Sequence, residues 1–283
     1  MKQRYGRLRR KLTLFLILCI AAGSMTVGHI FFNEGKTTGG VSEHSVFLPV
    51  IMYHSVVEKG EVGDYVIHAE TFEQDMIWLK DHGYETVFIE DIINYVYTGK
   101  ALPKKPVMIT FDDGMKNNMN TAYKVMEKYE AKGVYSVVGS YCDSGYPYMD
   151  WNELAEFAKY PFAEIQNHSY DLHGLGNRKG STRMQEEGFC EYITGFASDT
   201  SKMQIMLEEK AGVTAACYTY PFGLVSQETY PVLEDLGFKV SLTCIEKGNM
   251  ISKGDESCLY RLNRYNRSAD ESTEGFMRRI TSE

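Results

Sequence analysis

The sequence predicts an α/β domain whose parallel strands close, or nearly close, into a barrel. Two observations carry this. Short apolar runs alternate with amphipathic helical stretches from residue 46 to residue 244, the pattern of βα units around a parallel sheet. Six or seven such strands in about 235 residues suit a barrel better than an open two-faced sheet.

The elements follow in order. VFLPVIMYH (46–54) is an apolar strand. TFEQDMIWLKDHG (71–83) starts on Thr71 as cap, aligns Phe72, Met76 and Leu79 on one helical face, and stops at Gly83. A strand at 84–89 and a short helix through EDIINYVYTG come next. The strand at 106–111 leads to a helix over 118–132, a strand over 134–140, a helix in WNELAEFAKY and a strand over 162–169. A helix near 200–211, the strand AACYTYPFG, a helix over 226–236 and the strand 238–244 complete the pattern. There is no internal repeat and no low-complexity segment.

Composition sets bounds on this reading. The chain has 283 residues, 43% of them hydrophobic, enough for one sizeable core. A net charge of -8 argues against nucleic acid as a partner, because such binding rests on a basic face. Outside the N-terminal apolar run the cysteines are Cys142, Cys190, Cys217, Cys244 and Cys258, with no CxxC pair, so a structural zinc knuckle is not expected.

The N-terminus divides into three segments before the domain. Residues 1–11 hold six Lys and Arg. Residues 12–32 hold no Asp, Glu, Lys or Arg and are long enough to cross a bilayer as one helix. The positive flank should stay in the cytoplasm and the rest face outward. An uncleaved anchor in the cell membrane is the expectation, with Cys19 inside it; secretion after cleavage near Ala22-Gly23-Ser24 is the alternative. Residues 33–45 are polar and Gly-rich and form a linker, and 46–283 form the domain.

In barrels of this kind the chemistry gathers where strands end. The first strand ends in Tyr53-His54, and the strand at 106 in the adjacent pair Asp112-Asp113, closed by Gly114. The strand at 162 ends in NHSYDLHG, which supplies His168 and His173. The strand at 216 ends in Tyr220-Pro221-Phe222-Gly223. Two histidines and a carboxylate make a common divalent-cation site with positions left for water and substrate. On a helix the spacing of His168 and His173 would put them on different faces. On a loop both rings can turn to one ion, with Ser169 holding the curl through its hydroxyl. One aspartate then completes the metal set and the other is free to take a proton from water.

TFDDG together with the HS histidine motif resembles carbohydrate esterase family 4, the NodB-type polysaccharide deacetylases. IMYH and HSYDLH resemble the branch that holds the poly-N-acetylglucosamine deacetylases, whose second histidine comes five positions after the first. The resemblance covers about residues 46 to 265. It implies a distorted (β/α)7 barrel, NodB-like, and a metal-dependent de-N-acetylase. By position Asp113, His168 and His173 would bind the metal, expected to be zinc, and Asp112 would be the general base. The N–H of Phe222, after Pro221 and Tyr220, would serve the oxyanion. The implied partner is an acetylated polysaccharide of the cell surface.

Two positions depart from the family pattern. Thr219 stands where many members have an arginine that orients the base, and no histidine follows His173 to act as general acid. His54 is the substitute expected for the acid, and Arg261 or Arg264 for the arginine. Two alternatives to the de-N-acetylase remain at this point: an O-acetyl esterase on a sugar ester such as acetylated xylan, and a glycan-binding member of the fold with weak turnover.

Overall fold

Pro49 splits the first expected strand in two. The computed structural model describes residues 45–282 apart from 175 and 177. In it β1 (Ser45–Leu48) and β2 (Val50–Tyr53) flank the proline and part company. β1 pairs antiparallel with residues 249–252, outside the main sheet, whereas β2 enters the sheet. Proline has no N–H for a central ladder, so it falls where the chain changes partner.

Short strands β3 (Ser55–Val57) and β4 (Val66–His68) form a separate parallel pair. The main sheet comprises β2, β6 (Pro106–Phe111), β7 (Gly133–Val137), β8 (Ala163–Asn167), β9 (Cys217–Thr219), β10 (Val240–Leu242) and β12 (Tyr265–Asn266). β5 (Glu85–Thr86) pairs beside the start of β6, and β11 (Asn249–Ser252) is the partner of β1. The order is β10-β9-β8-β7-β6-β2-β12, and every pairing within it is parallel.

The sheet is curled into a partial barrel, and the segment before β12 spans its seam. Thr243 N–H donates to Leu262 O and Leu262 N–H to Ser241 O, both at 2.8 Å, while Arg267 N–H donates to Met52 O at 3.0 Å. Residues 262–267 thus run from the β10 edge to the β2 edge. A buried cluster fixes their far end: Asp75 accepts from Tyr53 Oη, Arg267 Nε and Thr273 Oγ1 at 3.0, 2.8 and 2.7 Å. β2, β6 and β7 are buried along their whole length, as strands covered on both faces must be.

Several elements differ from expectation for local reasons. The helix expected at 71–83 spans Ala69–Asp81 with His68 at its N-cap, because β4 runs straight into it; Thr71 is not the cap. Phe72, Met76 and Leu79 do form its buried face. The strand at 84–89 shrinks to two residues because a helix already starts at Ile89. The stretch 118–132 divides into a wide turn at Asn118–Ala122 and a short helix at Tyr123–Lys128. The helix near 200 begins earlier, at Phe189, and runs to Met206. Ser45, assigned to the linker, opens β1. The basic segment, the expected membrane anchor and the rest of the expected linker lie outside the described residues. Among those described, no helix is long and apolar enough to cross a membrane.

Candidate active site

Asp112 and Asp113 diverge because the backbone turns sharply between them. Asp113 and Gly114 both adopt left-handed conformations, with φ of 71° and 75°. Aspartate tolerates that region better than most residues. Gly114 is needed for a second reason: a Cβ there would lie 2.8 Å from Val137 Cγ1. The turn sends Asp112 into the protein and Asp113 towards the mouth.

At the mouth Asp113 meets both histidines. Its Oδ1 is 3.7 Å from His168 Nε2 and 3.4 Å from His173 Nε2. Ligand atoms of the three residues all lie within 4.8 Å of one another. His168 Nδ1 is 2.7 Å from Thr219 O, which can only accept, so Nδ1 carries the proton and Nε2 keeps its lone pair. Burial pushes the pKa of His168 down to about 3 and lowers that of His173, so both rings are neutral, as ligands must be. Burial, aided by neighbouring Asp112, pushes Asp113 up to about 6. Asp113 Oδ1 is buried without a hydrogen-bond partner. A cation held there would satisfy that oxygen and relieve the repulsion between the carboxylates. The residues present therefore fit a divalent cation.

The loop between the histidines is built as Ser169 suggested. Ser169 is left-handed, its N–H is held by Asn167 Oδ1 at 2.8 Å, and its Oγ accepts from Leu172 N–H at 3.1 Å. Tyr141 Oη lies 3.2 Å from His173 Nδ1 and orients that ring.

Asp112 is held from the far side of the seam. Arg264 Nη1 and Nη2 donate to its two oxygens, each at 2.7 Å, and both residues are buried. Burial alone would raise Asp112; the charge and hydrogen bonds of Arg264, with His168 nearby, hold it far below the usual carboxylate range. Of the two arginines considered for this place, Arg264 occupies it. Arg261 is exposed and lies over the ring of Tyr230.

The turn after β9 brings Pro221 and Phe222 to the same mouth. Phe222 is left-handed and its ring centroid is 4.3 Å from that of His173. Pro221 has no N–H, so Phe222 carries the first donor of the turn. Tyr220, expected beside the substrate, is different. The residue is fully buried and its hydroxyl pairs with Thr229 Oγ1 at 2.6 Å, so it does not line the mouth.

His54 follows β2, with its ring 4.7 Å from that of Tyr65 and a buried Nδ1 that has no hydrogen-bond partner. Burial lowers its pKa, against the pull of Asp112 and Asp113. Sequence reasoning missed Tyr141, Asn167 and the Thr219 carbonyl. Nothing in a local motif marks a tyrosine or a backbone carbonyl as a partner; only knowledge of strand order would have found them.

A curled parallel sheet with two histidines and a carboxylate at its C-terminal mouth defines an α/β protein with a candidate divalent-cation site. Residues 99–241, about half of the chain, match the family described as polysaccharide deacetylase, and the chain belongs to that family. It is 26% identical over 191 residues to a Staphylococcus aureus poly-beta-1,6-N-acetyl-D-glucosamine N-deacetylase. The match covers 66% of this chain and 64% of that relative, just under two thirds of its length. Among solved structures, a de-N-acetylase from Aggregatibacter actinomycetemcomitans matches with a TM-score of 0.71 and 21% identity, over 83% of this chain and 100% of that one. IcaB from Ammonifex degensii matches with a TM-score of 0.70 and 23% identity, over 83% and 97%. These two likenesses establish the fold.

Proposed function

We propose that the protein is a divalent-metal-dependent deacetylase that removes N-acetyl groups from a polysaccharide containing N-acetylglucosamine. One observation carries the reading: the Asp113–His168–His173 cluster stands beside a second carboxylate, Asp112, locked by Arg264. Three ligands leave a position open at the ion, as in catalytic rather than structural sites. A separate ionised carboxylate next to it provides a place for a proton.

Asp113, His168 and His173 would hold the ion. Zinc is the metal that suits a site of two nitrogens and one oxygen with an open position. A cation held by them would supply Lewis acidity, polarising the acetyl carbonyl and lowering the pKa of water. The remaining work belongs to side chains and backbone. Asp112, fixed by Arg264, accepts the proton of the attacking water. Phe222 N–H faces the oxygen on which charge develops. His54 passes a proton to the departing amine. The basic and apolar segments at residues 1–32 support placing this domain outside the cell, anchored to the membrane.

Acetate release by the full-length protein in detergent tests the reading. The panel comprises poly-β-1,6-N-acetylglucosamine, peptidoglycan, chitin oligomers and acetylated xylan, each with stripped and zinc-reloaded protein. Zinc-dependent release from an N-acetylated glycan is expected. Release from xylan alone would make the protein an ester hydrolase, and no release from any substrate would end the enzymatic reading.

A further inference from the structure

We infer that Asp199, in the helix Phe189–Met206, is a positioning residue for the metal-binding loop: it holds the segment between His168 and His173 so that the second histidine reaches the ion. The inference rests on the reading of Asp113, His168 and His173 as the cation site.

The loop has two sides. On the barrel side, Gly139 N–H donates to Ser169 O at 3.1 Å and Ser140 N–H to Tyr170 O at 2.7 Å. The N–H groups of Tyr170 and Asp171 are taken by Asp199, Oδ1 and Oδ2 respectively, both at 2.8 Å. One carboxylate therefore grips two consecutive backbone donors, one with each oxygen. Such charge-assisted pairs are stronger and more directional than neutral ones.

Packing holds the loop on one side only: Tyr170 and Leu172 pack against the core cluster, and the Tyr170 hydroxyl donates to Asp143 Oδ2 at 2.9 Å. Tyr170, Asp171 and Leu172 line a cavity of about 420 Å³ on the helix side, together with Asp199 and Lys202. On the cavity side the loop lacks the interlocked side chains that fix core positions. On that side its backbone is held by hydrogen bonds, and Asp199 supplies two of them. His168 is anchored independently by Thr219 O. Losing Asp199 should therefore displace His173 while leaving His168 and Asp113 in place, turning a three-point site into a two-point one.

The test is a Zn²⁺ titration of metal-stripped full-length protein against a chromophoric chelator, for the unaltered chain, Asp199→Ala and Asp199→Asn. Asp199→Ala should weaken the ion's affinity by about 10- to 100-fold. Asp199→Asn keeps one acceptor and should fall between the two. With Co²⁺ at saturation, Asp199→Ala should show an altered visible absorption spectrum, because the ligand set has changed. Thermal unfolding of the stripped proteins separates a loss of fold from a loss of site, and Asp199→Asn, close to isosteric, serves if Asp199→Ala does not fold. Affinity and cobalt spectrum in Asp199→Asn and Asp199→Ala equal to those of the unaltered chain would overturn the inference alone. Failure of the unaltered chain to bind Zn²⁺ would overturn the cation site and this inference with it.

Discussion

Arg264 and Asp112 stand 152 positions apart in the chain and meet through two parallel hydrogen bonds of 2.7 Å. The guanidinium is saturated: its Nε donates to Thr243 O at 2.7 Å, Nη1 also reaches Thr110 Oγ1 at 3.2 Å and Nη2 reaches Cys244 Sγ at 3.5 Å. A group so fully engaged holds the carboxylate in one orientation. Lysine offers a point charge and no fork. Arg264→Lys should retain bound metal and lose about 10- to 100-fold in kcat, because Asp112 is no longer aimed. Arg264→Ala should also destabilise the protein by roughly 3–5 kcal/mol, since it leaves a buried carboxylate uncompensated. Steady-state kinetics, metal analysis and urea unfolding check these outcomes; unchanged kcat in Arg264→Lys would show that aiming is unimportant.

The two aspartates should separate cleanly. Asp113→Ala, His168→Ala and His173→Ala each remove one of three ligands and should each lower bound metal. Asp112→Asn keeps the shape, cannot take up a proton, and should retain metal while turnover falls by roughly 100-fold or more. It also leaves Arg264 without its counter-charge, so a lower unfolding midpoint should accompany the loss. Metal content by elemental analysis decides. Metal lost in Asp112→Asn and kept in Asp113→Ala would mean that the roles are exchanged.

Glu164 gives a pH test remote from the metal. Its carboxylate, at the start of β8, accepts from the N–H of Ile89 at 2.8 Å and of Glu90 at 3.3 Å, at the N-terminus of the helix Ile89–Thr98. Burial pushes its pKa from 4.5 up to about 7, against those two bonds. The folded chain thus holds this proton more tightly than the unfolded chain. The stabilisation is full below about pH 4.5 and is lost as pH rises through about 7. Glu164→Gln cannot titrate, so its urea midpoint relative to the unaltered protein should rise between pH 5 and pH 8. A difference that stays flat, or falls, would show that the helix terminus keeps Glu164 ionised.

The parts legible in the sequence are those encoded locally. Asp112, Asp113 and Gly114 end one strand; His168, Ser169 and His173 follow another, and their place at the ends of strands in an expected barrel suggested that they converge. Strand order was not legible in the same way. Arg264 could be offered only alongside Arg261, because nothing near either residue says which one crosses the seam. β12 has two residues and β11 four, too few for a period to show. Tyr220 looked like part of the mouth because it adjoins Pro221, yet alternation along the chain turns its side chain inward to Thr229. Asp199 belongs to none of the motifs read from the sequence and lies just before the helix expected near 200–211.

His54 offers the sharpest separation of catalysis from architecture. The amine can leave only if its nitrogen is protonated; burial lowers the pKa of His54 while Asp112 and Asp113 pull it up, so the ring must be charged within the site before it passes the proton on. Among the other histidines of the described domain, His68 bonds Gly60 O and His82 bonds Trp78 O, both exposed, while His168 and His173 belong to the metal cluster. His54 alone combines a place after a sheet strand with a buried ring nitrogen that has no hydrogen-bond partner. His54→Ala should keep its metal and its unfolding midpoint within a small margin, and lose most deacetylation of an N-acetylated oligosaccharide. An aryl acetate has a leaving group that needs no proton, so its hydrolysis should be largely spared. Equal losses on both substrates would make His54 a structural residue or a metal ligand. No loss on either would remove it from the proton path.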